Sequence, residues 1–541
     1  MNRIALASAL AAALCAVPSS AHAFCGFYVA GSDAQMFNDA TQVVLMREGT
    51  RTVLAMQNTY QGPPQDFAMV IPVPVVLHEG DVKTLPKDVF AHVEQMGSPR
   101  LVEYWEMDPC APDYAEDKMQ MAPGSVRSRM AVAEGAAGGH GVTIEAQFVV
   151  GEYQILILSA KDSTGLDAWL KEQHYKIPDN AEPLLRPYVE SGMKFFVAKV
   201  DPKKVKFEAG RAALSPLRFH YDTDDFALPI RLGLANSSGT QDLIVNIFSP
   251  HQRYEVANYK NVTIPTNIDV DDSVKSKFGA FYAALFDRTI EKNPGAVVTE
   301  YAWQAMGCDP CPGPTLQPGE LATLGADVLG GTKEKPEPLQ SYDMVLTRLH
   351  ARYGKDITND LQFKQASPIV GGREFVVDQA TGKLEEGARP DSVNNFQGRY
   401  AIRHEWTGPV TCAQPIRHRW GGPPGNLPPA PTQGATGLAF VPRNTVQLPQ
   451  VVLRDLPEIG IKTEVVKHGP GLTDATTKPA PDSTKPPADR TKPTPPTTPE
   501  VKPEAKKGCG CDTSDPGSLA AGLAMLGLLV RRRRPGARRG R

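Results

Sequence analysis

The chain has 541 residues, 41% of them hydrophobic, and a formal net charge of −2 from 58 basic and 60 acidic side chains. Charge this evenly balanced leaves no electrostatic footprint for nucleic acid. The length suffices for two or three domains, and no stretch away from the two ends is apolar and long enough to span a membrane.

The chain opens with an address. Met1-Asn2-Arg3 is a basic start, Ile4–Val17 is apolar, and Ala21-His22-Ala23 is a small-residue cleavage site. This is the pattern of a secretory signal peptide over 1–23, with a mature chain expected from Phe24. Residues 24–110 read as a β-rich domain. Gln42–Met46 and Thr52–Gln57 are apolar strands joined by the hairpin signal Arg47–Arg51. Asp66–Val73 is a further strand, and Pro72 and Pro74 mark it as an edge or a strand end. A short helix is predicted at Lys87–Gln95 and a strand at Leu101–Trp105. Residues 111–141, rich in Met, Ala and Gly without a period, read as a flexible insertion.

Residues 142–307 read as a central α+β domain. It starts with the hairpin Val142–Val150 and Tyr153–Ser159, followed by helices at Gly165–His174 and Ala181–Ser191. Strands are predicted at Lys194–Val200, Leu217–Tyr221, Phe226–Leu232, Asp242–Ser249, Tyr254–Asn258 and Val297–Trp303. Between the last two, Ser273–Lys292 places Val274, Phe278, Phe281, Tyr282, Leu285 and Phe286 on one helical face. Residues 308–468 form a cysteine-containing C-terminal region of the body. There Leu339–Arg352 mixes helix and strand signals, and Gly398–Trp406 alternates like a strand. Residues 469–507 are Pro, Thr, Lys and Ala with almost no large apolar side chain, a disordered, semi-extended stalk. The fold class is therefore α+β, mainly β: strand-rich, sandwich-like domains with a few helices, then the stalk.

The last segment, 508–541, is a second address. Its apolar run Gly517–Val530 has 14 residues, against the about 20 that a spanning helix needs, and Arg531–Arg534 follow it. Arginines resist translocation, so such a run suits a transient anchor that is later removed.

Of the eight cysteines, five fall in the expected exported body: Cys25, Cys110, Cys308, Cys311 and Cys412. Export permits disulfides, and five is an odd number. Cys308-Asp309-Pro310-Cys311 is the sharpest motif. It reads as a redox dithiol, as half of a zinc site completed by Cys412 or His404, or as part of a structural set, with one of the pair bonded to Cys412 and Cys25 to Cys110. Asp222, Asp224 and Asp225, and Asp269, Asp271 and Asp272, cluster as calcium ligands would, or as aspartates favoured in turns. His220, His350 and His404 read as structural or surface histidines. The chain lacks His-Glu-x-x-His and Gly-x-Ser-x-Gly. No catalytic residue, metal or cofactor is assigned.

Several stretches together resemble the bacterial DUF2330 family, to which no activity is attached. They are Phe24–Phe27, Tyr60–Pro74, Leu101–Cys110, Tyr301–Cys311, Leu346–Tyr353 and Asn394–Trp406, spread over Phe24 to about Trp420. Gly508-Cys509-Gly510-Cys511, the apolar run and the arginines resemble the MYXO-CTERM sorting signal. That resemblance implies processing and lipid modification at Cys509 or Cys511 by a sorting machinery, and a membrane-anchored cell-surface product. The expected function is a secreted, surface-anchored envelope protein, a non-enzymatic binding or structural module with an envelope protein or polysaccharide as partner. The alternative is an extracellular enzyme, either a thiol–disulfide oxidoreductase using Cys308 and Cys311 or a hydrolase.

Overall fold

The computed structural model describes residues 27–465, apart from 31–36, 62–66, 112–140, 174–180, 202, 206, 209–210, 237–239, 331–342, 355, 374–384, 426–429 and 439–440. The expected signal peptide, stalk and sorting signal lie outside the described residues, as do 112–140 of the expected flexible insertion and Cys25, Cys509 and Cys511.

Apolar residues on consecutive positions dictate the core. In the strand Phe37–Glu48, Val43 and Leu45 point into one cluster and Val44 and Met46 into another, all fully buried. The neighbouring strand Arg51–Gln61 divides Leu54 and Met56 from Val53 and Ala55 in the same way. Successive side chains leave opposite faces of a strand, so such runs require a cover on both sides.

Four layers result. A five-stranded antiparallel sheet runs in the order Phe27–Ala30, Phe67–Val73, Lys194–Val200, Tyr153–Ala160, Val142–Val150. It packs face to face on a larger mixed sheet whose long strands are Arg51–Gln61, Phe37–Glu48, Gln241–Pro250, Met344–Tyr353 and Ala296–Gln304. The helices Ser163–Glu172 and Ala181–Glu190 cover the outer face of the first sheet. The helices Asp88–Gly97 and Phe278–Lys292 cover the outer face of the second. A smaller sheet sets Arg100–Glu106 parallel to Arg399–His404.

The chain is α+β and mainly β. The hairpins lie where the sequence places them, and three elements differ. Leu339–Arg352 resolves into the strand Met344–Tyr353, because its pairing partners on both sides are strands. The expected strand Phe226–Leu232 shrinks to Ala227–Leu228, and a 3-10 turn follows at Arg231–Asn236. The long helix starts at Phe278, after a 3-10 turn at Asp272–Lys277 begun by the Asp271 side chain, which accepts from the Ser273 amide at 3.0 Å. Pro72 lies one residue before the end of Phe67–Val73, facing Phe195 of Lys194–Val200.

The segments expected as separate domains share sheets. Phe37–Glu48 pairs with Gln241–Pro250, and Gln241–Pro250 with Met344–Tyr353. The boundaries at 141 and 307 therefore cut through one sheet, and the described residues form one compact unit.

One buried network crosses this body. Glu300, fully buried on Ala296–Gln304, accepts from Arg348 Nε at 2.7 Å, from His350 Nδ1 at 2.6 Å and from the Tyr282 hydroxyl. His350 in turn stacks on Phe286, with ring centroids 3.5 Å apart. Burial pushes the Glu300 carboxyl up, but the charges of His350 and Arg348 outweigh it and hold the pKa at about 2. Burial pushes His350 down, while Glu300 and Asp242 raise it overall.

Stability from Glu300 is full above the ordinary carboxylate range and is lost as pH falls toward about 2. Stability from His350 is full below about 6.5 and is lost as pH rises through its elevated pKa. Urea midpoints should therefore be highest between about pH 4.5 and 6.5 and fall on either side. Glu300→Gln should cost about 3–5 kcal/mol in the same assay, because it strands the buried Arg348 charge.

Candidate functional site

The strand Ala296–Gln304 ends in a turn, where the Gly307 amide donates to Gln304 O at 3.1 Å. The chain then enters the loop Cys308-Asp309-Pro310-Cys311, in which Cys308 and Cys311 form a disulfide with Cα atoms 4.9 Å apart. Cys311 is exposed and Cys308 half-buried.

Prolines at 310, 312 and 314 deny this loop backbone donors, and side chains from three other elements hold its carbonyls. Arg100 Nη1 donates to Pro310 O at 2.7 Å, and Gln397 Nε2 donates to Asp309 O. From the helix Asp88–Gly97, Gln95 Nε2 donates to Pro312 O at 3.0 Å and His92 Nε2 to Pro314 O at 2.8 Å. A Cβ at Gly313 would stand 3.0 Å from Gln95 Nε2, so this close approach favours glycine. The other His92 nitrogen lies 2.6 Å from Glu320 Oε1. With an acceptor beside each ring nitrogen, the surroundings of His92 favour the imidazolium, which donates twice. Burial alone would lower its pKa, but Glu320 and the Pro314 carbonyl raise it overall.

The guanidinium of Arg100 lies beneath the loop. Arg100 is fully buried, donates a second bond to Met96 O at 2.7 Å and lies 5.3 Å from the centre of the Tyr301 ring. Arg348, also fully buried, joins it there, and burial together with repulsion from Arg348 lowers the Arg100 pKa despite the nearby Tyr301.

The second disulfide joins Cys110 to Cys412 across 302 residues. This corrects the expected pairing of Cys412 with Cys308 or Cys311, and of Cys110 with Cys25. Cys110 and Cys412 follow the parallel strands Arg100–Glu106 and Arg399–His404, which leave the sheet at the same end. Such non-local pairing leaves no mark on cysteine spacing. The proposed zinc set is not assembled either: the thiolates are consumed in disulfides, and His404 stacks on Trp105 at 4.6 Å and contacts Glu103 Oε2 at 3.0 Å.

The remaining residues singled out in the sequence are spread over the body. Asp222 pairs with Arg51 at 2.7 Å, the Asp224 carbonyl accepts from Arg47, and Asp269 pairs with Arg403 at 2.8 Å. His220 lies 3.4 Å from Asp81.

The sequence gives no sign of one further feature, a cavity of about 600 Å³. Its walls come from the strand Lys260–Thr263, the last turns of Phe278–Lys292, the 386–390 segment and Arg454–Ile459. It brings Arg253, Arg389 and Arg454 together with Glu255, Glu386 and Glu458. Arg253 donates Nε to Ser367 O and Nη2 to Glu255 Oε1 at 2.7 Å, while its Nη1 has no hydrogen-bond partner among the described residues. Walls from segments this far apart have no shared periodicity to read.

The chain belongs to the DUF2330 family, described as an uncharacterized protein conserved in bacteria, which it matches over residues 19–364. The matched stretch contains Cys308 and Cys311 and ends before Arg399–His404 and Cys412. No curated protein and no solved structure matches the chain.

The two disulfides differ in what they do for stability. Loop-closure entropy predicts about 2 kcal/mol for the short closure and about 5–6 for the long one. Replacing Cys110 and Cys412 together by Ala should therefore lower the urea midpoint far more than replacing Cys308 and Cys311 together.

Proposed function

We propose, for this member of the family, an exported and surface-anchored module of the cell envelope that binds a polar, carboxylate-bearing glycan in the cavity beside Lys260–Thr263. The location rests on the signal-like start over 1–23, the proline-rich segment 469–507 and the Gly508–Arg541 tail. The observation that carries the binding reading is the cavity itself. Its volume lies in the range of ligand sites. Guanidinium groups present donors in a planar fork that matches carboxylates. Arg253 is buried in the wall, held by Ser367 O and Glu255, while Arg389 is exposed and Arg454 half-buried at the cavity. The carboxylates of Glu255, Glu386 and Glu458 supply acceptors for hydroxyl groups on the same ligand.

Isothermal titration of the mature chain with uronic-acid oligosaccharides should give saturable binding. Arg389→Ala and Arg454→Ala together should weaken it at least tenfold. Absence of heat with the unsubstituted chain, or equal affinity in the variant, would contradict the reading. Mass spectrometry of the protein from its own cells should find a mature terminus near Phe24 and lipid on Cys509 or Cys511. An intact Met1 or an intact Arg541 would contradict the proposed location.

A further inference from the structure

We propose that Cys308 and Cys311 are a reversible redox pair that exchanges with a dithiol or disulfide on an exported partner protein. This does not depend on the cavity or its ligand.

Three observations carry it. The Cys311 sulfur lies on an exposed residue, open to a second thiol, while Cys308 packs partly against the cluster containing Trp303 and Leu316. The loop is held from outside the bond as well: the carbonyls of Asp309, Pro310, Pro312 and Pro314 accept from Gln397, Arg100, Gln95 and His92. The bond can open and close over a scaffold that stays in place. Finally, Arg100 reaches the carbonyl of Pro310, next to Cys311, so a buried cation sits under the loop. A nearby cation favours thiolate over thiol, which helps a cysteine both to attack and to leave. Cys110–Cys412 instead joins the ends of two paired strands, where opening it releases a closure of 302 residues.

The exchange balances as follows. A partner thiolate attacks Cys311 Sγ, the Cys308–Cys311 bond breaks, and Cys308 leaves as the thiolate. The partner's second thiolate then attacks its own sulfur in the mixed disulfide and releases Cys311. Two electrons and two protons pass from the partner dithiol to the loop, and the partner becomes a disulfide. The reverse sequence oxidises the loop and reduces the partner.

The test is a dithiothreitol titration of the full mature chain, with thiols alkylated and mapped by mass spectrometry. Cys308 and Cys311 should become alkylated at a reductant concentration at least tenfold below that which opens Cys110–Cys412. The circular dichroism spectrum should not change, and oxidised glutathione should restore the bond. Opening of both disulfides together, or opening of Cys308–Cys311 only as the fold is lost, would overturn the proposal. A Cys308→Ser variant supplies a second readout. Its Cys311 should form a stable mixed disulfide with glutathione disulfide in the folded protein, and an unmodified Cys311 would overturn the proposal equally.

Discussion

The buried carboxylate of Glu300 is the joint on which this body turns. It takes hydrogen bonds from Arg348 and His350 on the adjacent strand and from Tyr282 on the covering helix. A helix and two strands therefore meet at one anion. Removing one member of a buried ion pair is costly because its partner stays charged in a low dielectric. The register of Ala296–Gln304 against Met344–Tyr353 is fixed by charge as well as by packing. The same register sets where Ala296–Gln304 ends and the cysteine loop begins. Arg100, which shares this buried region with Arg348, reaches across to hold that loop.

A loop held by side chains from elsewhere behaves differently from one held by its own disulfide. His92, Gln95, Arg100 and Gln397 come from a helix and two strands distant in sequence, and each takes a carbonyl that the proline-rich loop cannot satisfy internally. Side chains of the folded body thus hold the loop alongside its sulfur–sulfur bond. Cys110–Cys412 differs in reach: it ties together segments 302 residues apart, which also meet through strand pairing and through the bonds of Ile416 to Pro109 and of Arg419 to Asp108 and Ala111. One chain carries both kinds of bond, and magnitude separates them: loop-closure entropy grows with the length of chain enclosed.

Much of the sheet was legible in the sequence, because strands buried on both faces write apolar residues at every position. Val43 to Met46 and Phe195 to Ala198 are such runs, and each lies within a strand. The helix face of Phe281, Tyr282, Leu285 and Phe286 was legible for the same reason at helical spacing. Met344–Tyr353 was not, because Arg348, His350 and Arg352 interrupt its apolar pattern; Arg348 and His350 are buried and Arg352 half-buried against partners that only the fold supplies. The cysteine pairing and the cavity escaped for a related reason. Both depend on which distant strands become neighbours, and parallel pairs such as Arg100–Glu106 with Arg399–His404 have no turn to announce them.

The redox proposal requires that the cysteine loop be ordered by the body and not by its disulfide. Hydrogen exchange, comparing the native chain with the chain reduced only at Cys308–Cys311, tests this directly. The account predicts that protection across 312–321 and across the Asp88–Gly97 helix is the same in both forms, with any change confined to 308–311. Loss of protection through 312–321 and the facing helix on reduction would contradict it, and would make the Cys308–Cys311 bond the staple that orders this part of the molecule.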